Sequence, residues 1–137
     1  MVDLPEKKVG IISCSGDACV EGTISRVATR LVLEKFRPEE TVTICLPLFL
    51  AGGKEERAFA KYYPTITVDG CDKLCAKTAT ERYSAKPASS IVITDLTRNS
   101  GCSRSGRRKL DSGALGLAEK AAEMIAKEVD QVLHYWR

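Results

Sequence analysis

The chain contains no long apolar run. The longest, Ile44 to Ala51, is eight residues and includes Pro47, whereas a membrane-spanning helix needs roughly 20 apolar residues. No segment is therefore expected to cross a bilayer as a helix. The chain also has little charge of one sign: 21 Lys plus Arg against 18 Asp plus Glu leave a net +3, too small to argue for a nucleic-acid partner. The first residues, Met1 to Lys8, mix acids with bases ahead of an apolar run of only Val9 to Ile12. That is not the pattern of a secretory signal, so the expected compartment is the cytoplasm. Histidine is almost lacking. His134 is the single one, and it sits near the end of the last expected helix, where a cation complements the helix dipole and needs no ligand role. No two cysteines are separated by two residues, which removes the zinc-ribbon and thioredoxin-type signatures.

What is present is a chain of 137 residues, 44% hydrophobic and 28% charged. That is too apolar for disorder, whose burial could not offset its conformational entropy, and long enough for one core. The expectation is a single α/β domain over residues 1–137. Four β-branched runs, Val9 to Ser13, Thr41 to Ile44, Thr65 to Val68 and Ser90 to Thr94, are apolar enough for strands buried on both faces. Segments with helical spacing lie between them. Glu21 to Phe36 carries Ile24, Val27, Ala28, Leu31 and Val32 on one face. Lys54 to Tyr62 turns Ala58 and Phe59 inward, and Asp72 to Tyr83 offers Leu74, Ala76 and Ala79. In the last helix Ala118, Ala122, Ile125, Val129, Val132 and Trp136 advance by three or four residues, with Asp111 or Ser112 as the cap. This alternation predicts a three-layer α/β sandwich, with a mostly parallel sheet of about four strands flanked by helices. Thr97 to Gly113, with Arg98, Arg104, Arg107, Arg108 and Lys109 among serines and glycines, reads as a basic loop. It could hold an anionic partner, but no aromatic residue is interleaved for base stacking.

Six cysteines are more than packing alone leads one to expect. In a reducing compartment they suggest metal or redox chemistry before a disulfide framework. Cys14 follows the first strand, Cys45 ends the second, Cys71 follows the third and Cys102 lies past the fourth. In a parallel sheet these positions share one edge, the edge at which open α/β sheets bind ligands. Cys75, four residues after Cys71, is expected in the first turn of a helix, with the two β-carbons about 6 Å apart on one face. Four thiolates suit zinc in a closed tetrahedral site, or an iron–sulfur cluster, which uses the same ligands. Against this stands plain packing, since free cysteine behaves as a small buried hydrophobe. A thiol redox protein using Cys14 with Cys19, or Cys71 with Cys75, is the alternative. Phosphatase chemistry at Cys14 is disfavoured: an oxyanion-gripping arginine six positions on would fall at Val20, and only Arg26 on the following helix could substitute. Asp69 can hold backbone amides of the cysteine loop, although an Asp-Gly turn requires no function.

Gly10-Ile11-Ile12-Ser13-Cys14-Ser15-Gly16, Cys45-Leu46-Pro47-Leu48 and above all Val68-Asp69-Gly70-Cys71-Asp72-Lys73-Leu74-Cys75-Ala76 resemble the DGC domain family, named for its Asp-Gly-Cys motif. The resemblance covers roughly residues 8 to 96. It implies a small zinc-binding protein with four chelating cysteines, matched here by Cys14, Cys45, Cys71 and Cys75. Cys19, Cys102 and the basic loop fall outside the family pattern. The family carries no settled biochemical activity, so the resemblance bears on metal binding and leaves catalysis open.

Overall fold

A computed structural model describes residues 8–16, 18–97 and 109–135. Its centre is a four-stranded sheet of β1 (Val9–Ser13), β2 (Thr41–Val42), β3 (Thr65–Asp69) and β4 (Ser89–Val92), in the order β2-β1-β3-β4. Every neighbouring pair is parallel: Val9 lies opposite Thr41, Ser13 opposite Val68 and Asp69 opposite Val92. The long central strands are buried as expected, β1 from Val9 to Ile12 and β3 throughout. The edge strands are shorter and partly exposed. The run Thr41 to Ile44 pairs over its first two residues only, and the last strand stops at Val92 because Ile93–Thr97 turns into a short helix.

The chain leaves β1 for β2 on one side and returns past β1 to place β3 on the other. The reversal of strand order therefore falls between β1 and β3, and it is at the carboxyl ends of such a pair that open α/β sheets have their ligand crevice.

Helices cover both faces, giving the three layers. On one face lie α1 (Val20–Leu31), which runs on through a π-helical turn at Val32–Phe36, and the long final helix, α7 (Ser112–Tyr135). They enclose the main core, with Ile11 and Val68 from the sheet, Ile24 and Ala28 from α1, and Ala118, Ile125 and Val129 from α7. The expected stripe of α7 is buried from Ala118 to Val132, while Trp136 lies outside the described residues. Asp111 is the cap, its Oδ1 accepting the Ala114 amide at 2.8 Å.

The other face is covered by α2 (Leu46–Leu50), α3 (Lys54–Arg57), α4 (Phe59–Tyr62) and α5 (Cys75–Tyr83). A smaller core of Ile12, Phe59 and Ala76 lies beneath them. Gly10 is required here, because the Phe59 ring and the Thr65 hydroxyl occupy the space a β-carbon would need. The single helix expected over Lys54 to Tyr62 is broken into α3 and α4 at Ala58, which faces out while Phe59 is buried. Phe49 of α2 is buried and stacks edge-on against Tyr83 at 6.1 Å, and the Arg57 guanidinium lies 4.3 Å above the same tyrosine ring. The helix between Val92 and the basic segment, Ile93–Thr97, is α6. Of the expected basic loop, Arg98, Arg104, Arg107 and Arg108, with Cys102, lie outside the described residues. Among the described residues no helix is long and apolar enough to cross a membrane.

The end of the π turn is tied to α7 by a two-pronged ion pair: Arg37 Nε and Nη2 donate to Asp130 Oδ1 and Oδ2 at 2.8 and 2.7 Å. Arg37 holds the Asp130 carboxyl below its ordinary value of 3.8. The pair's contribution is therefore present above that value and is lost as pH falls through the folded-state one. Both side chains are partly exposed, at 31% and 54%, so solvent screening limits the pair to about 1 kcal/mol at most. Urea unfolding near neutral pH is expected to find Asp130→Asn less stable than the wild type by roughly 0.5–1 kcal/mol, with the two curves converging in acid. A difference that grows on acidification would contradict this assignment.

Candidate functional site

Three loops meet at the carboxyl edge of the sheet, and glycines let them meet. Gly70, directly after β3, packs its α-carbon against the first turn of α1. A β-carbon there would lie 2.6 Å from Gly22 N, 2.7 Å from Gly22 Cα and 2.8 Å from Glu21 C. Gly22 in turn packs against the backbone of Gly16, leaving no space for a side chain. Gly16 and Gly70 therefore both lie against the first turn of α1. Gly70 also donates its amide to Cys14 Sγ at 3.3 Å and accepts the Thr94 amide at 3.1 Å. Backbone spacing thus joins the ends of β1, β3 and β4 at one glycine.

Cys14 is half-buried at this junction. Its amide extends the β1–β3 ladder to Val68 O at 2.9 Å, and its sulfur lies 3.5 Å from Ser25 Oγ. Ser25 is fully buried, donates to Gly22 O at 2.6 Å and accepts the Ser15 amide at 3.3 Å. With its one proton committed to Gly22, Ser25 is an acceptor toward Cys14. Ser15 has φ of +54° and shares a hydrogen bond of 2.5 Å with Ser13. The loop is held by its own hydroxyls.

Asp69, the last residue of β3, is buried at 1% exposure. Its Oδ1 and Oδ2 accept the amides of Ala76 and Lys77 at 2.7 and 3.1 Å. It thereby satisfies the free donors at the start of α5, as the sequence reading allowed. Burial pushes its carboxyl up, while the two amides and the Lys77 charge pull it back down. Asp69→Ala should cost about 1–2 kcal/mol, as other caps do, because both amides lose their acceptor. Asp69→Asn keeps one acceptor and should lose less. Chemical denaturation of the two variants tests the order, and equal losses would show that capping is not the cause.

The expectation for Cys71 and Cys75 requires correction. They do not share a helical face, because α5 starts only at Cys75. Cys71 to Leu74 is a turn closed by Leu74 N to Cys71 O at 3.3 Å, with Leu74 in the left-handed conformation at φ +54°. A left-handed residue breaks the helical repeat on which the spacing argument rested. Cys71 is half-buried beside the crossing of Gly70 and α1, whereas Cys75 is exposed at the first position of α5.

A further thiol at this edge, one the family pattern omits, is electrostatically coupled to Cys71. Cys19 takes the cap position of α1 without a well-formed capping bond from its side chain. Burial pushes the Cys19 thiol up, the Gly22 amide lowers it, and the charges of Glu21 and Cys71 raise it further. Sequence spacing could not reveal this coupling, but Gly22 was a signal. A glycine inside the first turn of a helix lowers propensity and indicates that another backbone approaches closely.

Cys45 lies apart from this crossing. It is exposed at the cap of α2 and lines a cleft of about 650 Å³ between α1 and the β2–α2 loop. Among the described residues no three His, Cys, Asp or Glu side chains are gathered so as to hold a metal ion. Of the four expected ligands, Cys14 and Cys71 therefore lie just past the carboxyl ends of β1 and β3, while Cys45 and Cys75 are exposed on neighbouring loops of the same edge.

A parallel α/β fold with thiols at the carboxyl edge of its sheet defines the class. The sequence model of the DGC domain matches residues 10–132; the chain belongs to this family. The match reaches through α7, well beyond the segment of roughly residues 8 to 96 over which the motifs are visible. No curated protein and no solved structure matches the chain.

Proposed function

We propose that the protein binds zinc in the cytoplasm through Cys14, Cys45, Cys71 and Cys75. The observation that carries the reading is the contact between Cys14 Sγ and the Gly70 amide, since it brings the first thiol to the residue before Cys71. The donor chemistry fits: thiol ligands are soft and suit zinc, and four of them close a tetrahedral structural site. Cys45 and Cys75 are exposed at the starts of α2 and α5, so their side chains can turn toward a metal without opening the core. Bound zinc would replace the thiol protons with one cation and cross-link the three loops. The chain's own part is to hold Cys14 with Gly70 and Ser25, and to anchor the Cys71 turn through Asp69.

The electrostatic coupling of Cys19 to Cys71 favours a second reading, a redox pair. The two thiols would form one disulfide, giving two protons and two electrons to a small disulfide or peroxide oxidant. Elemental analysis of protein purified without chelator or affinity metal separates the two readings. About one zinc per chain without colour supports the first. Iron with acid-labile sulfide would indicate a cluster on the same ligands. Metal-free protein that stays so after anaerobic addition of zinc, and loses two free thiols on mild oxidation, overturns the first and supports the second.

A further inference from the structure

The cleft that Cys45 lines adjoins the Cys14 loop through Ser13 and Ser15, and its apolar wall and its arginines have no part in the thiol site. It opens between α1 and the β2–α2 loop, at the carboxyl end of β1, and its volume of about 650 Å³ suits a small organic molecule. Its walls are mainly apolar, with Val27, Leu31, Ile44 and Leu46 among them. A fully hydrated inorganic ion would gain little from such walls.

The cleft's polar lining includes Ser13 and Ser15 from the end of β1, Arg26 and Arg30 one turn apart on α1, and Thr43 and Cys45 after β2. The two arginines are not equivalent. Arg30 is already neutralised by Glu34, which also lines the cleft, at 2.6 Å. Arg26 makes no ion pair among the described residues and stands beside the apolar wall. Thr29 also lines the cleft and is 4% exposed, and its buried hydroxyl has no hydrogen-bond partner among the described residues. Buried hydroxyls are rarely left unpaired.

We propose that this cleft binds an amphipathic organic anion, its oxyanion group held by Arg26 with the one hydroxyl proton that the Ser13–Ser15 pair leaves free, and its apolar body packed on Leu31, Ile44 and Leu46. A planar guanidinium grips either a carboxylate or a phosphate through two parallel hydrogen bonds. The apolar wall adds the area term and rejects small inorganic anions. Among the described residues that line the cleft, Glu34 occupies Arg30 and leaves Arg26 as the cation without an ion pair, which selects a single anionic group over a dianionic pair.

The test is isothermal titration calorimetry of the full chain with octanoate, octyl phosphate and 1-octanol. At least one of the two anions should bind saturably below about 1 mM, and octanol at least about tenfold more weakly. The tighter of the two anions identifies the head group as carboxylate or phosphate. Arg26→Met should weaken the anion at least about tenfold while leaving octanol and the melting temperature unchanged, since Arg26 is exposed and makes no ion pair among the described residues. Arg82→Met, an exposed arginine on α5 on the opposite side of the sheet, should change nothing. Absence of saturation by either anion up to about 1 mM, equal affinity for octanol and the anions, or unaltered anion binding in Arg26→Met would each overturn the proposal.

Discussion

Gly70→Ala is expected to destabilise the protein by about 3 kcal/mol or more, at the upper end of the range for forcing extra atoms into packed space. The added methyl would meet Gly22 N, Gly22 Cα and Glu21 C at 2.6, 2.7 and 2.8 Å. All three belong to the backbone of a helix turn, which cannot rotate aside as a flexible side chain can. To admit the methyl, β3 and α1 must separate, and that lengthens the bond from the Gly70 amide to Cys14 Sγ. A thermal shift of roughly 10 °C downward would accompany the loss in a domain of this size. The control is Gly116→Ala in the second turn of α7, where a β-carbon would meet nothing within 4 Å. It should stabilise by about 0.5–1 kcal/mol through helix propensity alone. If the two substitutions shift the melting temperature alike, Gly70 is not a close-packing position and the account of the crossing is wrong.

The second large effect concerns the metal. Where zinc at about a thousand times its dissociation constant is present, mass action should raise the stability of the wild type by about 4 kcal/mol over chelator-treated protein. Cys14→Ser and Cys71→Ser should each abolish most of that gain, because a serine hydroxyl is a poor substitute for a thiolate ligand. Cys45→Ser and Cys75→Ser should reduce it as well, and Cys19→Ser should leave it intact. Differential scanning fluorimetry across zinc concentrations reads all five. Retention of the full zinc-dependent shift in Cys71→Ser would remove the proposed site. Its loss in Cys19→Ser would replace one ligand with Cys19, whose thiol feels the charge of Cys71.

Much of the fold was legible because β-branched runs and helical spacing are local signals. Val9 to Ser13 and Thr65 to Val68 are central strands that no burial pattern contradicts, and the stripe on α7 emerged where the spacing put it. The failures have a common origin in backbone behaviour that residue type does not encode. The Leu46–Leu50 segment reads as an apolar run, yet it forms a helix with Pro47 in its first turn, a position proline tolerates. Leu74 adopts a left-handed conformation that nothing about leucine suggests, and this single residue displaces Cys71 from the face of Cys75. The ligand candidates could be assigned to one sheet edge, because topology alone does that. Which thiol lies beside which depends on the packing of Gly16, Gly22 and Gly70, where the absence of side chains leaves hydropathy with nothing to register.

The arrangement of strand lengths has a consequence for association between molecules. The longest strands, β1 and β3, are internal, and the sheet is bounded by β2 with two residues and β4 with four. A border strand offers a row of amides and carbonyls to any extended chain that approaches it, and a long flat one is a template for fibre growth. Here one border offers little more than a single rung, and the other ends where α6 turns the chain away. The protein shields its most β-prone segments from one another by keeping them out of reach of a neighbouring copy.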